Sequence, residues 1–189
     1  MPQPTSRPAG IFVTGFGPFL NVTDNPSAKV AEALGLPYQV LEVSFDAADA
    51  FVAGLDPAGF GCLLMIGVAR GRKHVCPELF ARNQIGHTKD VHGQDRFGPI
   101  EEGAPLLLEG GLWTPEILSF AIDEPTIRTS YDAGTYLCNY IYYRALRRFP
   151  DRRVGFLHVP DVDAIPLEET IRIARLLVEK VAASTPADK

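Results

Sequence analysis

The sequence is poor in sulfur, with two methionines and three cysteines, Cys62, Cys76 and Cys138, among 189 residues. An odd number of widely spaced cysteines supports neither a disulfide framework nor a four-cysteine zinc site, so reduced thiols are expected. Apolar runs long enough to cross a bilayer are missing, which argues against a membrane partner. Residues 1–10 lack the apolar core of a secretory signal and read as a flexible leader, residues 184–189 read as a flexible tail, and a cytoplasmic location is expected. Positive charge is not in excess either: 18 Lys and Arg against 23 Asp and Glu give a net charge of -5. The two signs are mixed along the chain, and no basic stripe tracks nucleic acid. No repeat or linker interrupts residues 11–183, and 46% hydrophobic content suits one substantial core, hence a single domain.

Several short apolar segments end in glycine. Ile11-Phe12-Val13-Thr14 predicts a buried strand that runs into the tight loop Gly15-Phe16-Gly17-Pro18-Phe19. The third glycine of a dinucleotide fingerprint is absent and Pro18 follows at once, so a phosphate cradle is set aside. Asn25-Pro26-Ser27 predicts a helix start with Asn25 as cap, the helix running through Val30 and Leu34 to a stop near Gly35. A second strand is expected over 39–45, then a short helix over 46–55. Cys62-Leu63-Leu64-Met65-Ile66-Gly67 is apolar throughout, as a strand covered on both faces would be. Residues 74–81 alternate, and Pro77 limits them to an edge or bulged strand. Residues 84–113 show no period and read as a lid or binding loop, with room for a hairpin; a helix is expected over 114–122. Val154-Gly155-Phe156-Leu157 predicts another strand, and Leu167, Ile171, Ala174, Val178 and Val181 recur at helical spacing. Alternating strands and helices predict an α/β fold: a single-domain three-layer sandwich, its mostly parallel sheet covered by helices on both faces.

Ligands of such folds sit beyond the carboxyl ends of the strands. There the loop Phe16 to Phe19, the turn after Gly67, Cys138 and His158 would gather. Cys138 follows Asp132-Ala133-Gly134-Thr135-Tyr136-Leu137, read as a helix start with Asp132 as N-cap. Backbone N–H groups and partial positive charge at a helix N-terminus favour a thiolate; against that stands a plain core cysteine, the commoner fate of a lone thiol. His158, at a strand end, is a better candidate base than His74, His87 or His92, and Glu78, set among Val75, Leu79 and Phe80, is the candidate to orient it. A zinc alternative also exists, because His74, Cys76 and Glu78 share a face of an extended segment. A fourth ligand at a defined spacing is lacking.

Four ordered motifs across residues 11–160 then give the chain a likeness to a known family. Thr14-Gly15-Phe16-Gly17-Pro18-Phe19 with Asn25-Pro26-Ser27 opens it; Gly67-Val68-Ala69-Arg70-Gly71-Arg72 with Glu78-Leu79-Phe80-Ala81-Arg82-Asn83 follows. Ser130 to Asn139, with Tyr143 beyond, and Gly155-Phe156-Leu157-His158-Val159-Pro160 complete the set. In these motifs the chain resembles pyroglutamyl peptidase I, a family of cysteine peptidases that remove N-terminal pyroglutamyl residues. The resemblance implies a Cys138–His158–Glu78 triad, a thioester intermediate, no cofactor, and pyroglutamylated peptides as substrates. It places Phe16, Phe19, Tyr136 and Leu137 around the lactam ring, counts Asn25 in the substrate-binding set, and makes a homo-oligomer, dimer or tetramer, the expected assembly. The rim departs from the family pattern at Val68, Thr88-Lys89, residues 98–113 and Asp161-Val162-Asp163. Those departures keep open a second reading, a catalytically silent or substrate-shifted binding protein of the same fold.

Overall fold

The computed structural model describes residues 10–19 and 22–184. The expected leader and tail, apart from Gly10 and Ser184, lie outside the described residues. The strands are β1 (Ile11–Phe16), β2 (Tyr38–Leu41), β3 (Cys62–Val68), β4 (Cys76–Glu78), β5 (Phe80–Arg82), β6 (Leu107–Glu109) and β7 (Arg153–Val159). The helices are α1 (Pro26–Ala33), α2 (Phe45–Gly54), α3 (Pro115–Ser119), α4 (Leu137–Arg148) and α5 (Leu167–Ala183). The central sheet has the order β2-β1-β3-β7-β4; its first four members run parallel and β4 pairs antiparallel to β7. A separate two-stranded sheet joins β5 to β6.

Burial follows from this order. All seven residues of β3 are buried, because β1 and β7 flank it and helices cover both faces. Leu63 and Met65 turn toward α2 and α4, where they pack with Phe45, Phe51, Tyr142 and Phe156. Leu64 and Ile66 turn the other way, among residues of α1, α3 and α5 such as Val30, Ile117, Ile173 and Leu177. Each such large side chain contributes about 1.5–3 kcal/mol on full burial. The expected three-layer arrangement is therefore present. In α5 the buried line is Thr170, Ile173, Ala174, Leu177 and Val181, with Leu167, Ile171 and Val178 partly buried at its border.

Four expectations about elements need adjustment. The second strand stops at Leu41, because Ser44 caps α2 by accepting from Ala47 N–H. The alternating run 74–81 divides between two sheets: Leu79 lies at the break, its N–H donating to Ser130 O and its carbonyl accepting from Gly110 N–H. Residues 84–113 are held down at both ends, through β6 and through the bridge between Ile85 and Gly98. Asp132 is not the cap of α4; its carboxylate accepts from Gly134 N–H and pairs with Arg82 at 3.3 Å, and the helix begins five residues later. Gly134, at a φ of +84°, makes that delay feasible by turning the chain through the left-handed region.

Candidate active site

Cys138 is the second residue of α4. Tyr136, at the cap position, supplies no side-chain hydrogen bond to the first turn. The leading N–H groups are thus left available beside the thiol, where a capping serine or aspartate would have occupied one of them. The thiol rests over Gly67: a β-carbon built there would stand 2.7 Å from Sγ. Only glycine fits beneath it.

Gly67 is also the register partner of His158 in the parallel pair β3–β7. His158 and Phe156 share the face of β7 that looks toward α4, and their rings lie 4.9 Å apart. On the far side of β7, Cys76 and Glu78 of β4 pair with His158 and Phe156. The diagonal brings His158 Nδ1 to 2.6 Å from Glu78 Oε1. With Nδ1–H donating there, Nε2 is the nitrogen left to receive a proton. Glu78 is 0% exposed and His158 4%.

Electrostatics set the resting state of this group. Burial pushes the Cys138 thiol up to about 12; the Glu78 charge adds to the shift and Arg72 opposes it. Burial likewise holds His158 below the ordinary histidine value, against the pull of Glu78. A neutral thiol and a neutral imidazole follow. Of the two sequence readings of Cys138, a helix-start thiolate and a plain buried thiol, the raised proton affinity favours a neutral thiol at rest.

The remaining expected residues divide into two groups. Phe16 and Leu137 are buried and Phe19, Tyr136 and Cys138 are partly buried in one apolar cluster. The Tyr136 ring stands edge-on to Phe45, 6.3 Å between centroids, and its hydroxyl donates to Lys89 O at 2.9 Å. Asn25 stands behind this cluster. Its Nδ2 donates to Gly17 O, and its Oδ1 accepts from both the N–H and the Oγ–H of Ser27. Ser27 Oγ in turn accepts from Phe16 N–H at 3.0 Å. Asn25 and Ser27 thus fix the shape of the aromatic loop from below.

Residues of the divergent rim are also placed. Val68 pairs with Val159, on the sheet face opposite Gly67. Thr88 is exposed, and Asp161 accepts from Gly71 N–H at 3.1 Å, joining the turn after β3 to the loop after β7. The zinc alternative finds no site. Glu78 Oε1 is taken by Arg72 and His158, and the Cys76 thiol donates to His74 O. Among the described residues no three His, Cys, Asp or Glu side chains gather to hold a metal ion.

Two residues stand out that sequence reasoning passed over. Arg72, present in the second motif but given no role, donates to Glu78 Oε1 at 2.5 Å. The available signal was a buried carboxylate in need of a cation six residues after an arginine. Asn139 receives Arg82 N–H at 2.7 Å and donates to Arg82 O and Gln84 O at 2.9 Å each, locking the strand after Glu78 to the helix of Cys138.

Comparison with known proteins identifies the family and the fold. Pyrrolidone-carboxylate peptidase of Halalkalibacterium halodurans is 26% identical, over 90% of this chain and 98% of the relative. The Bacillus subtilis enzyme of the same name is 28% identical, over 85% and 82%. Among solved structures, pyroglutamyl peptidase I of Bacillus amyloliquefaciens shares the fold with a TM-score of 0.83, at 22% identity over 93% of this chain and 98% of that one. Pyrrolidone carboxyl peptidase of Thermococcus litoralis is 27% identical, with a TM-score of 0.80 over 92% of each chain. The pattern of the pyroglutamyl peptidase family itself matches residues 9–185, and the chain belongs to that family.

Proposed function

We propose that this protein is a cysteine exopeptidase that hydrolyses the amide bond after an N-terminal pyroglutamyl residue. The observation that carries the reading is the Glu78–His158 contact of 2.6 Å on the strand whose residue 158 pairs with Gly67, directly under the Cys138 thiol. In the proposed cycle Sγ attacks the pyroglutamyl carbonyl carbon while its proton passes to His158 Nε2. N–H groups opening α4 receive the developing oxyanion. The C–N bond then breaks, the proton goes to the departing amine, and a thioester remains. Water, deprotonated by His158, hydrolyses the thioester and restores the thiol. Glu78 holds the ring through Nδ1 and offsets the imidazolium charge. Phe16, Phe19, Tyr136 and Leu137 provide apolar walls for the neutral lactam ring, a surface that rejects a charged amine.

The test is release of a fluorophore from a pyroglutamyl amide. Wild type should release it, an alkylating agent should stop it, and Cys138→Ala and His158→Ala should show none. A folded wild type without release would favour the silent or substrate-shifted reading. The same proposal treats residues 11–183 as one peptidase domain and the working form as a cytoplasmic homo-oligomer. Sedimentation of the purified protein tests the assembly. Among the described residues no helix is long and apolar enough to cross a membrane.

A further inference from the structure

Arg72 is bound directly to the proposed triad. Its Nη1 donates to Glu78 Oε1 at 2.5 Å, the oxygen that also meets His158 Nδ1 at 2.6 Å. The same guanidinium reaches the stretch before the nucleophile, with Nη1 to Ser130 Oγ at 3.3 Å and Nη2 to Asp132 O at 2.7 Å. Glu78 Oε2 has no hydrogen-bond partner among the described residues. The carboxylate is therefore held through one oxygen, by one permanent cation and one imidazole.

That arrangement has a consequence through the cycle. A fully buried carboxylate without a cation is strongly unfavourable. Arg72 is the fixed positive charge paired with Glu78 before His158 takes the thiol proton. The fork of the guanidinium also spans Glu78 and Asp132 at once, which the single ammonium of a lysine does not reproduce. Building on the exopeptidase reading, we infer that Arg72 is a positioning residue: it keeps Glu78 in place as the anchor of His158 and sets that anchor against the loop entering α4.

Other titratable and charged groups face this centre. Cys76 lies beside Arg72, Arg128 beyond it, Asp132 on the loop, Cys138 on α4, and Tyr142 donates its hydroxyl to the Glu78 carbonyl. The Arg72 charge lowers the proton affinity of both Cys138 and His158. Its removal should move their titrations to higher pH.

The experiment compares wild type, Arg72→Gln and Arg72→Lys. Two profiles are recorded against pH: iodoacetamide modification of Cys138, followed by mass of its peptide, and kcat/KM on a pyroglutamyl amide. Arg72→Gln should shift the alkylation profile and the acid limb of kcat/KM upward by about one pH unit, and lower kcat by about 10²-fold. Arg72→Lys should keep both profiles near wild type while kcat falls and KM stays close to its starting value. An unmoved profile in Arg72→Gln, whatever its rate, would reduce Arg72 to a structural role, and full turnover in Arg72→Lys would remove the positioning role. If Arg72→Gln does not fold, Arg72→Lys decides alone: a wild-type profile with lowered kcat supports the inference and a shifted profile overturns it. Alkylation needs no peptide substrate. A wild type that fails to cleave the amide would sink the exopeptidase reading and leave the alkylation comparison to decide on Arg72.

Discussion

A β-carbon at Gly67 would stand 2.7 Å from Cys138 Sγ and 2.8 Å from Phe156 Cζ. The strand cannot yield there, since it is paired along its length with β7, and Phe156 is buried. The thiol is the group that would move. Gly67→Ala should therefore lower kcat/KM by about 10²-fold, the usual result of misplacing a reacting group by about 1 Å. Its stability should fall by only about 1–3 kcal/mol, the usual cost of overpacking. Turnover on the fluorogenic amide together with a urea titration checks this, and an active Gly67→Ala enzyme would contradict the placement of the thiol. At this scale the sequence was informative where a residue's neighbours in the chain limit its surroundings. Glu78 among Val75, Leu79 and Phe80 announced a buried carboxylate, and His158 after an apolar run announced a histidine at a strand end. Arg72 was not legible in the same way: its partners at Ser130 and Asp132 are 58 and 60 residues away, and nothing local selects them.

Elements were readable to the extent that a single periodicity governed them. β3, β7 and α5 were clear because apolar runs and helical spacing have no competing explanation there. The start of α4 was not. Asp132 has the chemistry of an N-cap, yet its carboxylate serves a turn, and the helix opens on Tyr136 without any side-chain cap. β6 was also hidden, because Leu107 and Glu109 are exposed and only Leu108 packs inward, too little to produce an alternation over a longer span. What ties these irregular pieces to the helix is Asn139, whose side chain exchanges three hydrogen bonds with the main chain of Arg82 and Gln84. Asn139→Ala leaves those groups without their part-buried partner. The expected loss is about 2–4 kcal/mol, visible as a lower urea midpoint. Activity should fall further than the stability loss alone explains, because only Leu79 separates β5 from Glu78. A variant as stable as wild type would show that this clamp is dispensable.

For the whole molecule, two buried groups set a common response to acid. His158 is held below its ordinary value by burial, so on acidification the unfolded chain binds a proton that the folded chain refuses. Its contribution is complete above about pH 6.5 and is lost as pH falls below that value. Asp90 acts lower on the scale. Burial opposes its ionisation, but N–H groups of Phe45, Gln94 and His92 outweigh that and hold the carboxyl below the usual range. Its stabilisation is present above the unfolded value, near 3.9, and disappears as pH drops through the folded one. Urea midpoints should hold level from pH 8 to about 6.5, fall below that value, and fall again below about pH 4, where Asp90→Asn should flatten the curve; a midpoint that is constant from about pH 8 to about pH 3 would contradict both assignments. The overall layering was legible because strands and helices alternate, whereas the position of β7 was not: spacing along a chain does not say which strands become neighbours. β7 lies between β3 and β4, so the last strand to be synthesised fills the gap that separates the glutamate from the cysteine's glycine seat. A ribosome-bound chain arrested between Cys138 and Arg153 has Glu78 and Cys138 already made, yet lacks the central strand that joins them. On the proposed mechanism, proteolytic competence therefore waits for β7, the strand that carries His158.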